Sequence, residues 1–435
     1  MIESAQRVRN IISNLSWQAG AKVINLAMSV LAGGLVARHL HHDLSEYRTA
    51  QFYVSLVTPL TVIISNNVIM RRLVARESEG LILGTAMWMI ALSGLLFFSV
   101  VAAGSLLWSE NRSQQLLFIV AALSLLVWWP IPFGHALEAH LHGRESALSA
   151  SLGSLAMRSW EILCAVQGLS IIWLCGSVPI GTAITMVFLA IFYFRLRQEH
   201  LAHWRWDSTT AWQLLKESSP LILGGLASGA LFRINIVLLR EWAGNAEASY
   251  YSAALELPLS MQMIAGVLLT VFFPGLTHLL THEPLRAWNR LDQFTRLGAA
   301  LGLLSALGLC LGASLWTNWI YGPDFKPTAQ VLAVTAWILP AMFMAQARGA
   351  WLLHTQRTSI ELYYILGGVL LDVVLAWLWV PSMGAVGAAW ALVAAYAFTW
   401  VISSLIHTHT RRIGILQLRA SIWPFPTWQE FNLKR

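Results

Sequence analysis

The chain has 435 residues, 57% of them hydrophobic and only 11% charged, with a mean hydropathy of +0.61. That balance excludes a soluble globule, and no polar stretch between Ile12 and Leu405 is long enough to be a soluble domain. The net charge of +7 is spread along the chain rather than gathered for nucleic acid, and Cys164, Cys175 and Cys310 fit neither a disulfide framework nor a zinc site.

A hydrocarbon core of about 30 Å takes roughly 20 apolar residues per helix, and backbone groups in lipid must be satisfied internally. Spanning helices are therefore predicted over 12–37, 50–70, 82–108, 115–136, 147–173, 179–194, 221–239, 251–273, 297–316, 329–352, 360–380 and 384–405. The first carries Lys22 and runs on to Ala37 without a typical cleavage site, so it reads as a spanning helix and not a signal peptide. His39, His41 and His42 follow in a loop from Arg38 to about Thr49, without cysteines or paired carboxylates, and no metal is expected there. Helix four holds Pro130, Pro132 and Gly134, which should break its hydrogen-bond ladder, either beside a cavity or as a kink facing lipid. Helix five carries Arg158 and Glu161, spaced i,i+3, which is either a local ion pair or a working site. Helix seven carries Arg233 and Asn235, helix ten carries Arg348 near its end, and helix eleven carries Asp372. Arg348 is expected to snorkel to the interface, and Glu256 to lie close to it.

On this topology 19 of the 28 Lys and Arg residues fall on one side, five on the other and four within helices. The positive-inside rule then puts both termini in the cytoplasm. The longest polar connection, Arg195 to Glu217, has six helices before it and six after. The expected organisation is a six-helix bundle over 1–197, a cytoplasmic connector over 198–218, a second bundle over 219–410 and a basic tail over 411–435. Local patterns recur between the halves. Val36-Ala37-Arg38 matches Leu238-Leu239-Arg240, and Leu141-His142-Gly143-Arg144 matches Leu353-His354-Thr355-Gln356-Arg357 at an offset of about 212. Parallel repeats of this kind mark transporters, with the substrate path where the repeats meet. The fold class is thus an all-α polytopic membrane protein, with about 12 transmembrane helices in two pseudo-symmetric six-helix bundles around a central lumen.

An ionisable group at mid-bilayer costs roughly 2.5–3.5 kcal/mol on insertion scales and usually faces a cavity or a partner. Lys22 and Arg233 have no acidic residue within a turn of their own helices, which singles them out with Arg158 as a cationic lining for an anionic substrate. Asp372 either pairs with Arg158 or Arg233 or works as a carboxylate in its own right. No Gly-rich Lys-Ser/Thr phosphate loop is present, so the chain is not expected to be an ATPase, and no cofactor is expected.

Several stretches resemble a known family. Asn14-Leu15-Ser16-Trp17 through Ala37-Arg38-His39-Leu40, with Arg71-Arg72-Leu73-Val74-Ala75-Arg76-Glu77, is similar to the start of polysaccharide transporters, the Wzx-type O-antigen flippases. Phe232-Arg233-Ile234-Asn235, Tyr250-Tyr251-Ser252-Ala253-Ala254, Tyr321-Gly322-Pro323-Asp324-Phe325 and Pro381-Ser382-Met383-Gly384-Ala385-Val386-Gly387-Ala388-Ala389 fit the same pattern. Two departures stand out: His41 replaces the usual Gly after Leu40, and Asn235 stands where an Asp is common. The resemblance implies the multidrug/oligosaccharidyl-lipid/polysaccharide exporter superfamily. It further implies a non-enzymatic flippase of the bacterial inner membrane that moves undecaprenyl-pyrophosphate-linked oligosaccharide to the periplasmic leaflet. Lys22, Arg158, Arg233 and Asn235 would then bind substrate, and Glu161 and Asp372 would serve ion coupling or gating. Partners would be the lipid-linked substrate, the bilayer, and polymerase and chain-length proteins. A multidrug or cation antiporter of the same superfamily is the alternative. A membrane polymerase or ligase is disfavoured, because it usually carries a long periplasmic loop.

Overall fold

The computed structural model describes residues 24–75, 78–108, 111–140, 142–196, 204–355, 357 and 359–424, so Lys22 lies outside the described residues. Every regular element among them is helical. The chain divides into two compact units, one of Met1–Leu40 with Glu46–Gly229, the other of His41–Ser45 with Ala230–Arg435.

The first unit is built from α1 (Ile24–Leu40), α2 (Leu44–Thr61), α3 (Asn66–Val74), α4 (Glu79–Trp108), α5 (Arg112–Ala122), α6 (Pro132–Ala139), α7 (Gly143–Val166), α8 (Ile171–Cys175), α9 (Ser177–Leu196) and the start of α10 (Ser208–Ala243). The second holds the rest of α10, then α11 (Asn245–His282), α12 (Pro284–Leu311), α13 (Ala313–Ile320), α14 (Thr328–Thr335), α15 (Ile338–His354), α16 (Ser359–Trp400) and α17 (Thr408–Ile422). On α4, Trp88, Leu92, Leu95, Leu96, Val100 and Leu107 are all exposed. An apolar surface running from Trp88 to Leu107 is tolerable in lipid and not in water. Among the described residues, seven helical stretches are long and apolar enough to cross a bilayer, and Ile24–Leu40 and Arg112–Leu126 are shorter apolar helices. Joined across their breaks, the described helices make the twelve runs expected: α1, α2–α3, α4, α5–α6, α7, α9, α10, α11, α12, α14–α15 and the two limbs of α16. The chain is an all-helical, multi-pass membrane protein.

The breaks have local causes. After Ala122 the chain tightens into a 3-10 turn at Leu123–Leu126 and restarts at Pro132. Proline suits the first helical turn because its missing N–H would have no partner there. In α16 the break is Gly384, at φ 55° and ψ −134°, where the Oε2 of Glu247 accepts from Ala385 N at 2.7 Å and so caps the second limb. A Cβ on Gly387 would come within 2.6 Å of the Trp379 carbonyl oxygen, so this glycine is what lets the second limb fold back. The family-like motifs of this unit also meet: Tyr321 Oη donates to Ala253 O at 2.8 Å, and Phe325 packs edge-on against Tyr250 at 6.0 Å.

Three sequence expectations are corrected. The loop from Arg38 to about Thr49 is a single 3-10 turn, His41–Asp43, because Leu44, Tyr47 and Arg48 already belong to a buried helical face. His41 there has φ 49°, the left-handed region that glycine enters without penalty. The described part of the connector, 204–218, is docked against the first unit. Trp204 lies among Phe133, Tyr193 and Phe194, at 5.5, 5.9 and 5.9 Å between rings, and Thr85 Oγ1 donates to Arg205 O while accepting from Asp207 N. Arg71 and Arg72 both pair with Glu217. Residues 204–229 therefore belong to the first unit, and the division falls inside α10. That helix begins at Ser208, thirteen residues before the predicted 221, because Asp207 caps it by accepting from Thr210 N at 2.7 Å. The Thr210 hydrogen bonds hold the Asp207 carboxyl below its ordinary range. Finally, the supposed tail contains α17, whose Ile413, Gly414, Gln417 and Ala420 are buried. Gln417 Nε2 donates to Met344 O at 3.3 Å, and Tyr364 shares a 2.8 Å hydrogen bond with Thr410.

Candidate functional site: two buried carboxylates

Among the described residues, each unit holds one fully buried acid. In the first it is Glu161 on α7, which is 1% exposed. Its placement follows from a close helix crossing: a Cβ on Gly153 would sit 1.8 Å from Thr185 Oγ1, and one on Gly181 2.7 Å from Met157 Cβ. Small residues at these points draw α7 and α9 together and bring Ser177, at the start of α9, against the carboxylate. Tyr47 Oη on α2 donates to Oε1 at 2.8 Å, Ser177 Oγ donates to the same oxygen at 3.3 Å, and Arg158 Nη1 donates to Oε2 at 2.8 Å. The sequence left Arg158 and Glu161 open between an ion pair and a working site; they pair on one helix face.

In the second unit the acid is Asp372 on the first limb of α16, with no exposed surface. Asn235 Nδ2 on α10 donates to both its oxygens, at 2.9 and 3.1 Å, and lies 3.4 Å from both Tyr251 Oη and Ala388 O. The two limbs of α16 again cross at a glycine, since a Cβ on Gly368 would stand 1.7 Å from Thr399 Oγ1. Asp372 thus takes its hydrogen bonds from a neutral amide, and Asn235, which the resemblance cast as a substrate contact, is turned inward to that acid. Arg233 lies two residues from Asn235, about 200° around the helix, so the two side chains leave α10 on different faces.

The two sites are built alike. Tyr47 and Tyr251 come from corresponding helices, as do Glu161 and Asp372, and Ser177 and Ala388 each stand near the start of the following run. Sequence reasoning found the acids and missed the tyrosines: Tyr47 fell in the loop expected from Arg38 to about Thr49, and Tyr251 stood only within a family-like motif.

Arg348 corrects a further expectation. It does not snorkel; it is fully buried on α15. Its Nη1 donates to Thr399 O at 2.7 Å, Ser404 Oγ at 3.0 Å and Ser403 Oγ at 3.1 Å. The guanidinium lies 5.1 Å from the Tyr364 ring, 5.0 Å from that of Trp400 and 3.6 Å from Glu361. Near Trp400 α16 gives way to a 3-10 turn, Ile402–Leu405, leaving carbonyls at the negative end of the helix dipole. The arginine reaches one of them, the Thr399 carbonyl, from the side. The adjacent serines, Ser403-Ser404, were the signal for this site.

The His residues go elsewhere: His39 Nε2 is 2.7 Å from Leu169 O, and His41 is 3.2 Å from Asp324.

No protein-family model matches the chain, and no curated protein matches it. Solved structures do. A lipid II flippase MurJ in an inward closed conformation is 14% identical with a TM-score of 0.71, over 94% of this chain and 91% of that one. An inward-facing multidrug resistance MATE family transporter of the MOP superfamily is 15% identical with a TM-score of 0.67, over 92% and 96%. A MOP superfamily transporter from Pyrococcus furiosus is 16% identical with a TM-score of 0.64, over 93% and 96%. At these identities the likeness is one of fold, and the chain has the fold that these transporters share.

Proposed function

We propose that this protein is a membrane transporter that flips an oligosaccharide linked to undecaprenyl pyrophosphate, an O-antigen or exopolysaccharide repeat unit, from the cytoplasmic to the periplasmic leaflet by alternating access. The observation that carries this reading is the shared fold, which extends over 94% of the chain in the comparison with a protein described as a lipid II flippase. The motifs similar to polysaccharide transporters favour a glycan cargo. The pyrophosphate would be met by Lys22, Arg158 and Arg233, since an unpaired phosphate charge in hydrocarbon costs on the order of tens of kcal/mol in the Born limit. Glu161 and Asp372 are the candidates for ion coupling. Both termini would lie in the cytoplasm and the protein in a bacterial inner membrane, beside polymerase and chain-length proteins of the same route.

A second reading, a multidrug or cation antiporter, is favoured by one feature: Asp372 is a buried carboxylate met by a neutral amide, a setting that suits a cation. The two part in a deletion strain. A flippase leaves single lipid-linked repeat units that an impermeant sugar probe cannot reach, and complementation exposes them. Units already accessible outside but unpolymerised point to an enzyme, and no accumulation in either leaflet points to the antiporter. Arg233→Glu is expected to abolish flipping with membrane insertion intact; normal flipping in that variant sinks the cationic site.

A further inference from the structure

One end of the second unit carries more positive charge than its own acids neutralise. Glu283 pairs with Arg286 at 2.7 Å, Asp292 with Arg296 at 2.8 Å, and Glu361 faces Arg348 at 3.6 Å. Arg357, Arg411, Arg412 and Arg419 are exposed and have no acidic partner among the described residues. Two of them are held in place. The Arg412 guanidinium lies 4.0 Å over the Trp288 ring, which packs on Trp351 at 4.6 Å. Arg411 Nε donates to Leu405 O at 3.2 Å. His407 and His409 stack at 5.1 Å, and partial desolvation with the charges of Arg357 and His407 holds the His409 imidazole below its ordinary range. A field this positive is expected to gather an anion.

The same helices say which kind. α17 buries Thr410, Ile413, Gln417 and Ala420, and its other face interleaves Arg412, Ile415, Leu418, Arg419 and Ile422, all exposed. Arginines alternating with aliphatic side chains suit neither open water nor plain hydrocarbon; they suit the level at which a lipid passes from phosphate to chain. A cavity of about 430 Å³ opens among α12, α15, α16 and α17, and its α17 wall at Ala420 and Ser421 adjoins Arg419 and lies about 12 Å along the helix from Arg412, at 1.5 Å per residue. Its walls are almost wholly apolar, with Leu303, Trp337, Met344, Val393 and Ile402 among them and Ser421 on one side.

We infer that this face of the second unit holds an anionic glycerophospholipid, with its phosphate among Arg411, Arg412 and Arg419 and an acyl chain in the cavity. A soluble anion would use the arginines and leave the cavity unfilled, and a neutral hydrocarbon would do the reverse. Only an amphiphile of this charge uses both. The inference needs the membrane setting alone and does not rest on which cargo is transported.

The test uses the full chain in vesicles of phosphatidylcholine with and without phosphatidylglycerol. Phosphatidylglycerol is expected to raise the wild-type melting temperature in a dose-dependent way. Affinity should fall about fivefold for each arginine removed, so that Arg411→Gln/Arg412→Gln/Arg419→Gln melts alike in both vesicles. Those side chains are exposed, and the contacts of Arg412 with Trp288 and of Arg411 with Leu405 O are lost equally in both vesicles, so the comparison between vesicles reads the lipid alone. Ile402→Trp, at an exposed lining position, should weaken the response without changing charge. Mass spectra of the purified protein should show retained phosphatidylglycerol or cardiolipin. An equal response in wild type and the triple variant overturns the inference. So does a rise reproduced by inorganic phosphate alone, or retention of an isoprenoid lipid instead.

Discussion

Tyr47 donates its hydroxyl directly to Glu161 at 2.8 Å, whereas Tyr251, its counterpart in the second unit, meets Asp372 through Asn235. The two acids therefore differ in how their charge is compensated. Glu161 has two hydroxyl donors and a guanidinium; Asp372 has an amide. Glu161→Gln breaks a buried ion pair on one side and is expected to destabilise the protein by about 3 kcal/mol. Asp372→Asn keeps an acceptor for Asn235 and removes a buried charge, so stability should hold or rise. Thermal unfolding in one detergent checks both, and a larger loss for Asp372→Asn than for Glu161→Gln refutes the contrast.

Gly384 and Glu247 form a second coupled pair. Gly384→Ala is expected to cost about 1–3 kcal/mol for the backbone alone, because φ 55° with ψ −134° is closed to side chains. The new Cβ would also stand 2.5 Å from Glu247 Oε2 and push the cap off Ala385 N. Glu247→Ala loses the cap at about 1 kcal/mol. Since the alanine at 384 already displaces that cap, the double variant should lose clearly less than the two singles summed, and strict additivity in melting experiments would contradict the geometry.

Arg348→Lys is expected to destabilise the protein nearly as much as Arg348→Met. An ammonium has donors enough for the three acceptors but no flat guanidinium to lie against the Tyr364 and Trp400 rings while it reaches them. Leaving buried acceptors unsatisfied costs about 1–3 kcal/mol each, and hydrogen exchange should show α17 opening first. Full rescue by lysine would reduce Arg348 to a point charge.

The Glu217 carboxyl is pushed up by burial, but the hydrogen bonds and charges of Arg72 and Arg71 outweigh this and hold it below its ordinary value. A depressed acid stabilises the fold above its unfolded value, near 4.5, and that contribution disappears as pH falls through the folded value. Wild type should therefore melt above Glu217→Gln at neutral pH, and the two should converge below about pH 4.5. A gap that persists in acid assigns the effect to packing instead.

Much of this architecture was legible in the residues. Hydropathy located the twelve runs because lipid imposes the same demand on each, and Pro130, Pro132 and Gly134 marked the break in helix four by their chemistry. Helix ends were not legible, since α10 and α12 continue as polar helices beyond the apolar window, held by Asp207 and Pro284. Asp372 and Glu161 stood out because acids are costly in lipid. Their donors did not, because Tyr47 and Tyr251 are ordinary residues until the fold brings them to a carboxylate. Arg348 was misjudged because position along a helix does not reveal what packs beside it. His41 is the reverse case: the sequence flagged an unusual residue after Leu40, and the left-handed backbone there explains why a glycine is usual at that point.

Cys164 and Cys175 are reduced and sealed in the first unit, while Cys310 is only partly covered. The native chain is thus almost silent towards thiol reagents before any residue is changed. With Cys310 replaced by serine, a single cysteine placed at an exposed site such as Arg357 or Asp324 would give a labelling signal of its own, from which sidedness in the intact cell can be read directly.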